Sequence, residues 1–282
     1  MIYEPQIHSR KPYGASIWYC NGYHEHCHSQ TEVYICLCGQ LTIRVEGIDY
    51  PMEKDDTLFV ASNESHRIFC DHPDTQVIIF NFGNRLLGSA YSVLHDASFE
   101  QPFFNLQDPS VSEKILHPLF QIKNIMLNFN KNDIAQDWEL RGCLHLIAAY
   151  LATHKRAIEA SRERKARVAQ LANMNGVLDY IAEHFQEPIT VDTAASIARY
   201  DKSYFCKQFR KATGMTFHRY LNYCRISVAC QHLVESNMSI SVIAEESGFA
   251  SAKMMNRLFR DILGVTPTEY RNHPSKRTYG IH

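Results

Sequence analysis

The sequence predicts an α+β chain in two parts: a β-barrel covered by two helices, then an all-helical part built on a duplicated two-helix unit. Three observations carry this. Apolar residues recur in short β-type runs as far as residue 82. The apolar period becomes helical after about residue 111. Beyond residue 190 one residue pattern returns after a step of fifty.

The barrel comes first. Apolar and β-branched clusters recur at Ser16–Cys20, Glu32–Leu37, Leu41–Val45, Thr57–Val60, Arg67–Cys70 and Val77–Phe82. Turn formers separate them, as in Cys38-Gly39-Gln40 and Glu46-Gly47-Ile48-Asp49. Short strands at near-regular spacing predict a small barrel or sandwich.

Two helices follow. Ile115, Leu119, Ile122, Ile125, Met126 and Phe129 share one helical face, and Leu140, Leu144, Ile147 and Leu151 share another. Such a pair either covers the barrel or offers surplus apolar surface to a dimer. Residues Lys155–Gln170 are highly charged without large apolar anchors and read as a linker, solvated helix or partly flexible. The expected domains are therefore 1–154, a linker over 155–170, and a helical domain over 171–282 with two-helix units near 190–214 and 240–264.

The repeat is the most specific feature. A step of fifty maps Phe209 onto Phe259, Arg210 onto Arg260, Gly214 onto Gly264, Thr216 onto Thr266 and Tyr220 onto Tyr270. Ala195 corresponds to Ala244 if the second copy holds one extra residue in its turn. The small alanine lets two helices approach. Ser203 and Ser251 sit where a hydroxyl can cap the second helix. Phe205 with Phe209, and Met255 with Phe259, bury one face. Gly214 and Gly264 end each helix in the left-handed conformation. This is a helix-turn-helix, whose second helix enters the major groove of DNA. The outward residues are Ser203, Cys206, Lys207 and Arg210 in one copy and Ala252, Lys253, Asn256 and Arg257 in the other. Lysine and arginine suit guanine, and asparagine suits adenine. Cys206 and Ala252 are poor base readers, so the two copies can contribute unequally.

On these residues the region Met174–Asn272 resembles the DNA-binding domain of AraC/XylS transcriptional regulators. The stretch Gly248-Phe249, Phe259-Arg260, Gly264-Val265-Thr266-Pro267 and Tyr270-Arg271 follows the family signature. The resemblance implies two subdomains joined by a long helix at about Phe217–Ser236, entering consecutive major grooves. Ser203, Cys206 and Lys207 would be the first reader set, and Lys253, Asn256 and Arg257 the second. It also implies a regulator, most often an activator, that meets RNA polymerase at promoter DNA.

In the β-rich part His26-Cys27-His28, Glu32, Gly39 and a distant His66 resemble the cupin spacing. Asp55-Asp56 stands where cupins often carry Gly-Asp, and Ala61-Ser62-Asn63 replaces the usual proline-bearing turn. In AraC-like regulators such a domain holds a small effector, often a sugar. His26, His28, Glu32 and His66 could converge from adjacent strands. They would suit a divalent transition metal, or hydrogen bonding to a polyol with Trp18, Tyr34 or Phe59 stacking on its ring. A purely structural role is the third reading. His24 is expected to face away or to lie in a loop.

Composition narrows the function classes. Length allows one or two domains with sizeable cores. No run approaches the ~18 apolar residues of a membrane span, and the first residues lack a secretory layout, so a cytoplasmic protein is expected. The nine cysteines form no CxxC pair and read as reduced, apolar packing groups. The net charge of −1 hides an asymmetry. Residues 1–164 carry 14 Lys+Arg against 20 Asp+Glu, and residues 165–282 carry 15 against 10. A basic C-terminal part fits a polyanion-binding module. The leading expectation is a homodimeric, effector-responsive regulator. A constitutive DNA-binding protein whose barrel only dimerises, and a metal-dependent cupin enzyme, are the alternatives.

Overall fold

A computed structural model of the chain describes residues 2–3, 12–19, 23–70, 74–95, 97–130, 133–157, 166, 168–169, 171 and 173–272. Residues 158–165, 167 and 170 of the expected linker, and Cys20, lie outside the described residues, and the side chain of His24 is likewise not described. The chain divides into two compact units. One comprises 10–25 and 29–159; the other comprises 160–282 with the short segments 1–9 and 26–28.

Most of the strands fall into two five-stranded sheets. The first runs β1 (Ile2–Tyr3), β3 (Tyr23–Cys27), β8 (His66–Phe69), β5 (Leu41–Val45), β6 (Ile48–Met52). The second runs β11 (Phe103–Asn105), β7 (Asp56–Val60), β4 (Thr31–Cys38), β9 (Gln76–Phe82), β2 (Tyr13–Tyr19). Hydrogen bonds between β3 and β8 make Tyr23–Cys27 part of the first sheet. A small ladder pairs β10 (Ala97–Phe99) with β12 (Lys155–Ala157).

Alternation along the strands sorts side chains into two cores. Trp18, Tyr34, Cys36, Leu58, Val60 and Val77 of the second sheet meet Ile43, Met52 and Ile68 of the first between the sheets. The alternate residues Val33, Ile35, Phe59, Ile78, Phe80 and Phe82 face outward and are covered by helices. With both faces buried, β4 and β7 read as continuous apolar runs.

Those covering helices are α3 (Glu113–Leu127) and α4 (Ile134–Thr153), after two short helices α1 (Asn84–Leu87) and α2 (Ser92–His95). Ser112 and Asp133 cap α3 and α4 through the amides of Lys114 and Ala135. Ile115, Leu119, Ile122, Leu140, Leu144, Ile147 and Leu151 pack on the sheet. The covering role is thus observed, while α4 also leaves Ile134, Trp138 and Leu146 more than half exposed.

The sequence expectations need correction at several points. β1, β3, β6 and β10–β12 were not expected, and β12 takes up the first residues of the expected linker. Glu46-Gly47-Ile48-Asp49 is no four-residue turn: only Glu46 and Gly47 turn, at φ 47° and 86°, and Val45 pairs with Ile48 across a two-residue hairpin. Phe59 cannot stack on a ligand between the sheets. It lies on the helix-covered face against Phe99 and Phe104, at ring separations of 5.9 and 5.8 Å.

The second unit is helical: α5 (Asn175–His184), α6 (Val191–Ile197), α7 (Lys202–Thr213), α8 (Phe217–Glu235), α9 (Ile240–Glu246), α10 (Ala252–Leu263) and α11 (Pro267–Asn272). The long helix α8 is buried on two faces. Tyr220, Leu221, Cys224 and Val228 join the core of α5–α7. Tyr223, Ile226, Ala229, Cys230 and Leu233 join the core of α9–α11. One rod thereby serves two small subdomains.

Candidate DNA-binding surface and barrel site

The two helix-turn-helix copies are built alike, residue by residue. Thr190 caps α6 and Ser239 caps α9, each accepting from the amide three residues on. The turn then closes with the same bond: Tyr200 N–H donates to Ala195 O at 3.0 Å and Phe249 N–H to Ala244 O at 2.8 Å. Ala195 and Ala244 are buried, as close helix approach requires. The extra residue of the second copy is Ala250, because the next caps are Asp201 and Ser251.

Ser203 is therefore not a cap. Asp201 takes that role, accepting from Tyr204 N–H at 2.9 Å, and Ser203 stands exposed one residue inside α7. Aspartate and serine serve equally at this position, which is why the sequence alone misplaced the start by two residues.

Behind the turn, Phe205 and Phe209 are fully buried, and Phe209 meets Tyr220 edge-on at 5.4 Å. In the second copy Met255 and Phe259 take the same places, and Phe259 meets Tyr270 at 5.5 Å. Gly214 and Gly264 end α7 and α10 at φ 75° and 73°. Burial of this face turns the other outward. Ser203, Cys206, Lys207 and Arg210 are exposed on α7, as are Lys253 and Arg257 on α10, with Ala252 and Asn256 partly covered.

Lysine 211 and His218 were not singled out from sequence. With Val191, Cys206, Lys207, Arg210, Thr216 and Phe217 they line a groove of about 570 Å³ beside α7. They escaped because the groove joins α7 to the start of α8 in space.

In the barrel, the ligand-type atoms of His26, His28, Glu32 and His66 all lie within 4.8 Å of one another, and all four residues are buried. His26 belongs to β3, Glu32 to β4 and His66 to β8, and His28 directly follows β3. Glu32 Oε2 accepts from the Tyr34 hydroxyl at 2.5 Å and lies 3.1 Å from His66 Nε2. Asn81 Nδ2 approaches Glu32 Oε1 at 3.5 Å. His66 Nδ1 is 3.0 Å from Glu64 O, so that nitrogen carries a proton. His66 Nε2 is thereby turned toward the Glu32 carboxylate.

Positioning groups surround the cluster. Tyr91 and Ser62 hydroxyls both donate to Ser29 O at 2.8 Å, fixing the tight connection after His28. Burial pushes the Tyr91 phenol up to about 12. Glu64 ties the loop before His66, accepting from Ala61 N–H at 2.9 Å and from Ser98 Oγ at 2.5 Å. Asn63 takes φ 61° there, which asparagine tolerates. Trp18 and Tyr34 share the face between the sheets with Glu32 and Asn81.

Comparison with known proteins agrees with this architecture. A helix-turn-helix domain model matches residues 194–273, and a cupin domain model matches residues 20–81. The chain is similar to an uncharacterized HTH-type transcriptional regulator of Staphylococcus aureus (strain COL), 26% identical over 174 residues. That match takes in 60% of this chain but 22% of the relative, so the chain spans only about a fifth of it. It is also similar to the probable transcriptional regulator LumQ of Photobacterium leiognathi, 23% identical over 246 residues, covering 87% and 91% of the two chains. Among solved structures, ToxT from Vibrio cholerae shares the fold at TM-score 0.57 and 13% identity, over 93% of this chain and 98% of that one. A ToxT structure with bound unsaturated fatty acid matches at TM-score 0.51 and 12% identity, over 92% and 94%. No helix among the described residues is long and apolar enough to cross a membrane. The chain thus carries a cupin domain ahead of a helix-turn-helix domain, in the order and fold seen in the transcriptional regulators to which it is similar.

Proposed function

We propose that this chain is a regulator that binds specific promoter DNA as a homodimer, with α7 and α10 both facing the duplex, and that a small polar metabolite held by the barrel sets its activity. The observation that supports it most is the buried polar set of His26, His28, Glu32 and His66, with Tyr34 and Trp18 on the same face. Histidine nitrogens and a carboxylate suit the hydroxyls of a sugar or sugar acid, and the aromatic rings suit its apolar faces. Such a ligand acts only by binding one arrangement of the protein better than another. Activation, through contact with RNA polymerase, is the expected direction. The exposed Ile134, Trp138 and Leu146 stripe of α4 supports self-association.

A metal reading rests on the same cluster. His26, His28, Glu32 and His66 offer three imidazoles and one carboxylate, a set suited to a divalent transition ion. Ligands ~2.1 Å from one centre lie at most ~4.2 Å apart, so small adjustments of the four atoms would admit it. The ion would satisfy the facing lone pairs of His66 and Glu32, and the Glu64 carbonyl already fixes the tautomer of His66. Bound there, it would supply a positive centre for an anionic or hydroxylated effector.

Thermal melting of the full chain against sugars, sugar acids, unsaturated fatty acids and divalent metals, with and without chelator, tests these readings. A ligand at a hundred times its dissociation constant adds about 2.7 kcal/mol to the native state. An upward shift with a sugar supports the metabolite reading. A shift with metal, reversed by chelator, supports the ion. No shift with any of them would sink both and leave a constitutive DNA-binding protein.

A further inference from the structure

We propose a division of labour between the two copies: α10 selects the DNA sequence, and α7 with the groove beside it grips the phosphate backbone with little sequence preference. The inference rests on the DNA-binding reading above and deepens it.

The fifty-residue step permits a position-by-position comparison. At the three base-facing positions the first copy offers Ser203, Cys206 and Lys207, and the second offers Lys253, Asn256 and Arg257. Asn256 can pair bidentately with adenine and Arg257 with guanine. A serine hydroxyl accepts either kind of partner and a thiol is a weak donor, so neither distinguishes bases well. Lys207 is a point charge without the planar fork of arginine.

Charge runs the other way. Lys211 of the first copy stands where the second has Asp261, and Arg219 stands where the second has Glu269. Glu269 is already committed, accepting from the Thr266 amide and hydroxyl, each at 2.8 Å. Lys207, Arg210, Lys211 and His218 instead converge on the groove of about 570 Å³, whose apolar part comes from Val191 and Phe217. Carboxylates at the matching places of the second copy would repel a phosphate. The first copy therefore has weak readers and a concentrated positive groove, and the second has strong readers and a mixed-charge surround. Phosphate contacts supply affinity and register without reading bases.

The test uses the full-length protein. A preferred duplex is first selected from a random duplex pool with the unmodified chain. Dissociation constants for that duplex and for a scrambled one are then measured across salt. The Lys207→Ala/Lys211→Ala pair should weaken both duplexes by the same factor and lower the salt slope by about two. The Asn256→Ala/Arg257→Lys pair keeps the positive charge. It should cut the preference for the selected duplex by about 10- to 100-fold per lost pairing with the slope unchanged. Lys207, Lys211 and Arg257 are exposed and Asn256 is partly covered, and a melting curve for each variant checks that it folds. If the α7 pair erodes the preference as much as the α10 pair, or the α10 pair leaves it intact, the division of labour is overturned. If the unmodified chain enriches no sequence at all, the sequence-specific reading itself fails.

Discussion

Replacing Gly248 with alanine should unfold the helical unit far more readily than the loss of any surface side chain. Gly248 turns the chain between α9 and α10 at φ +79°. A β-carbon there would lie 2.7 Å from Gln186 Cα and 2.8 Å from Phe185 O. Both are backbone atoms, so no flexible side chain can give way. The left-handed conformation costs an alanine about 1–2 kcal/mol. The methyl would also press on Arg225, whose Nε donates to Phe185 O and whose Nη2 donates to Glu187 O, both at 2.8 Å. Weakening a hydrogen bond to a charged group adds about 1.5 kcal/mol or more. Together these give about 2–4 kcal/mol, or a melting temperature lower by roughly 10–25 °C for a unit of this size. The equivalent turn position of the first copy is Arg199, at φ 56°. Arg199→Gly removes the same strain, less the entropy that glycine loses on folding, and should raise stability by about 0.5–1 kcal/mol. Thermal melts of both variants of the full chain, followed by circular dichroism, decide the matter. A Gly248→Ala protein melting within ~4 °C of the parent would refute the argument, because a cost below ~1 kcal/mol leaves no room for the clash.

Further outcomes follow from the same geometry. Alkylation of the native protein should reach the exposed Cys38 and Cys206 and spare Cys36 and Cys224, with the preferred DNA duplex protecting Cys206. Burial, with Cys38 next in effect, lifts the Cys36 thiol from 9.0 to about 12. Its contribution to stability should be intact below pH 9 and decline as pH rises toward 12, read as a falling denaturant midpoint. Tyr34→Phe removes a donor from the buried Glu32 carboxylate, and should lower the stability of the barrel by about 1–3 kcal/mol in denaturant titration. Trp138→Glu, at a position 67% exposed, should leave the melting temperature unchanged and shift the mass seen in sedimentation from dimer to monomer. An unchanged mass would remove α4 from the interface.

Much of the architecture was legible because it is local. A capping residue, a pair of large apolar residues four apart and a left-handed glycine each leave a mark within one helix, and here the marks occur twice. The strands with both faces buried, β4 and β7, were visible as apolar runs. The strands β3 and β6 were not, since Tyr23–Cys27 carries two histidines and a glutamate, and Ile48–Met52 a proline. Their partners supply the stabilisation that local propensity lacks.

By itself the sequence determined the two helix-turn-helix copies, their outward residues and the β-then-α order, because helix periodicity and end signals act over a few residues. Tertiary structure decided what depends on distant neighbours. It brought His26, His28, Glu32 and His66 together, and turned Phe59 toward the helices rather than the space between the sheets. It also gathered Lys211 and His218 with Lys207 into one groove. Side-chain alternation gives every strand residue one of two faces, but only the pairing of strands from opposite ends of the barrel says which face holds the chemistry.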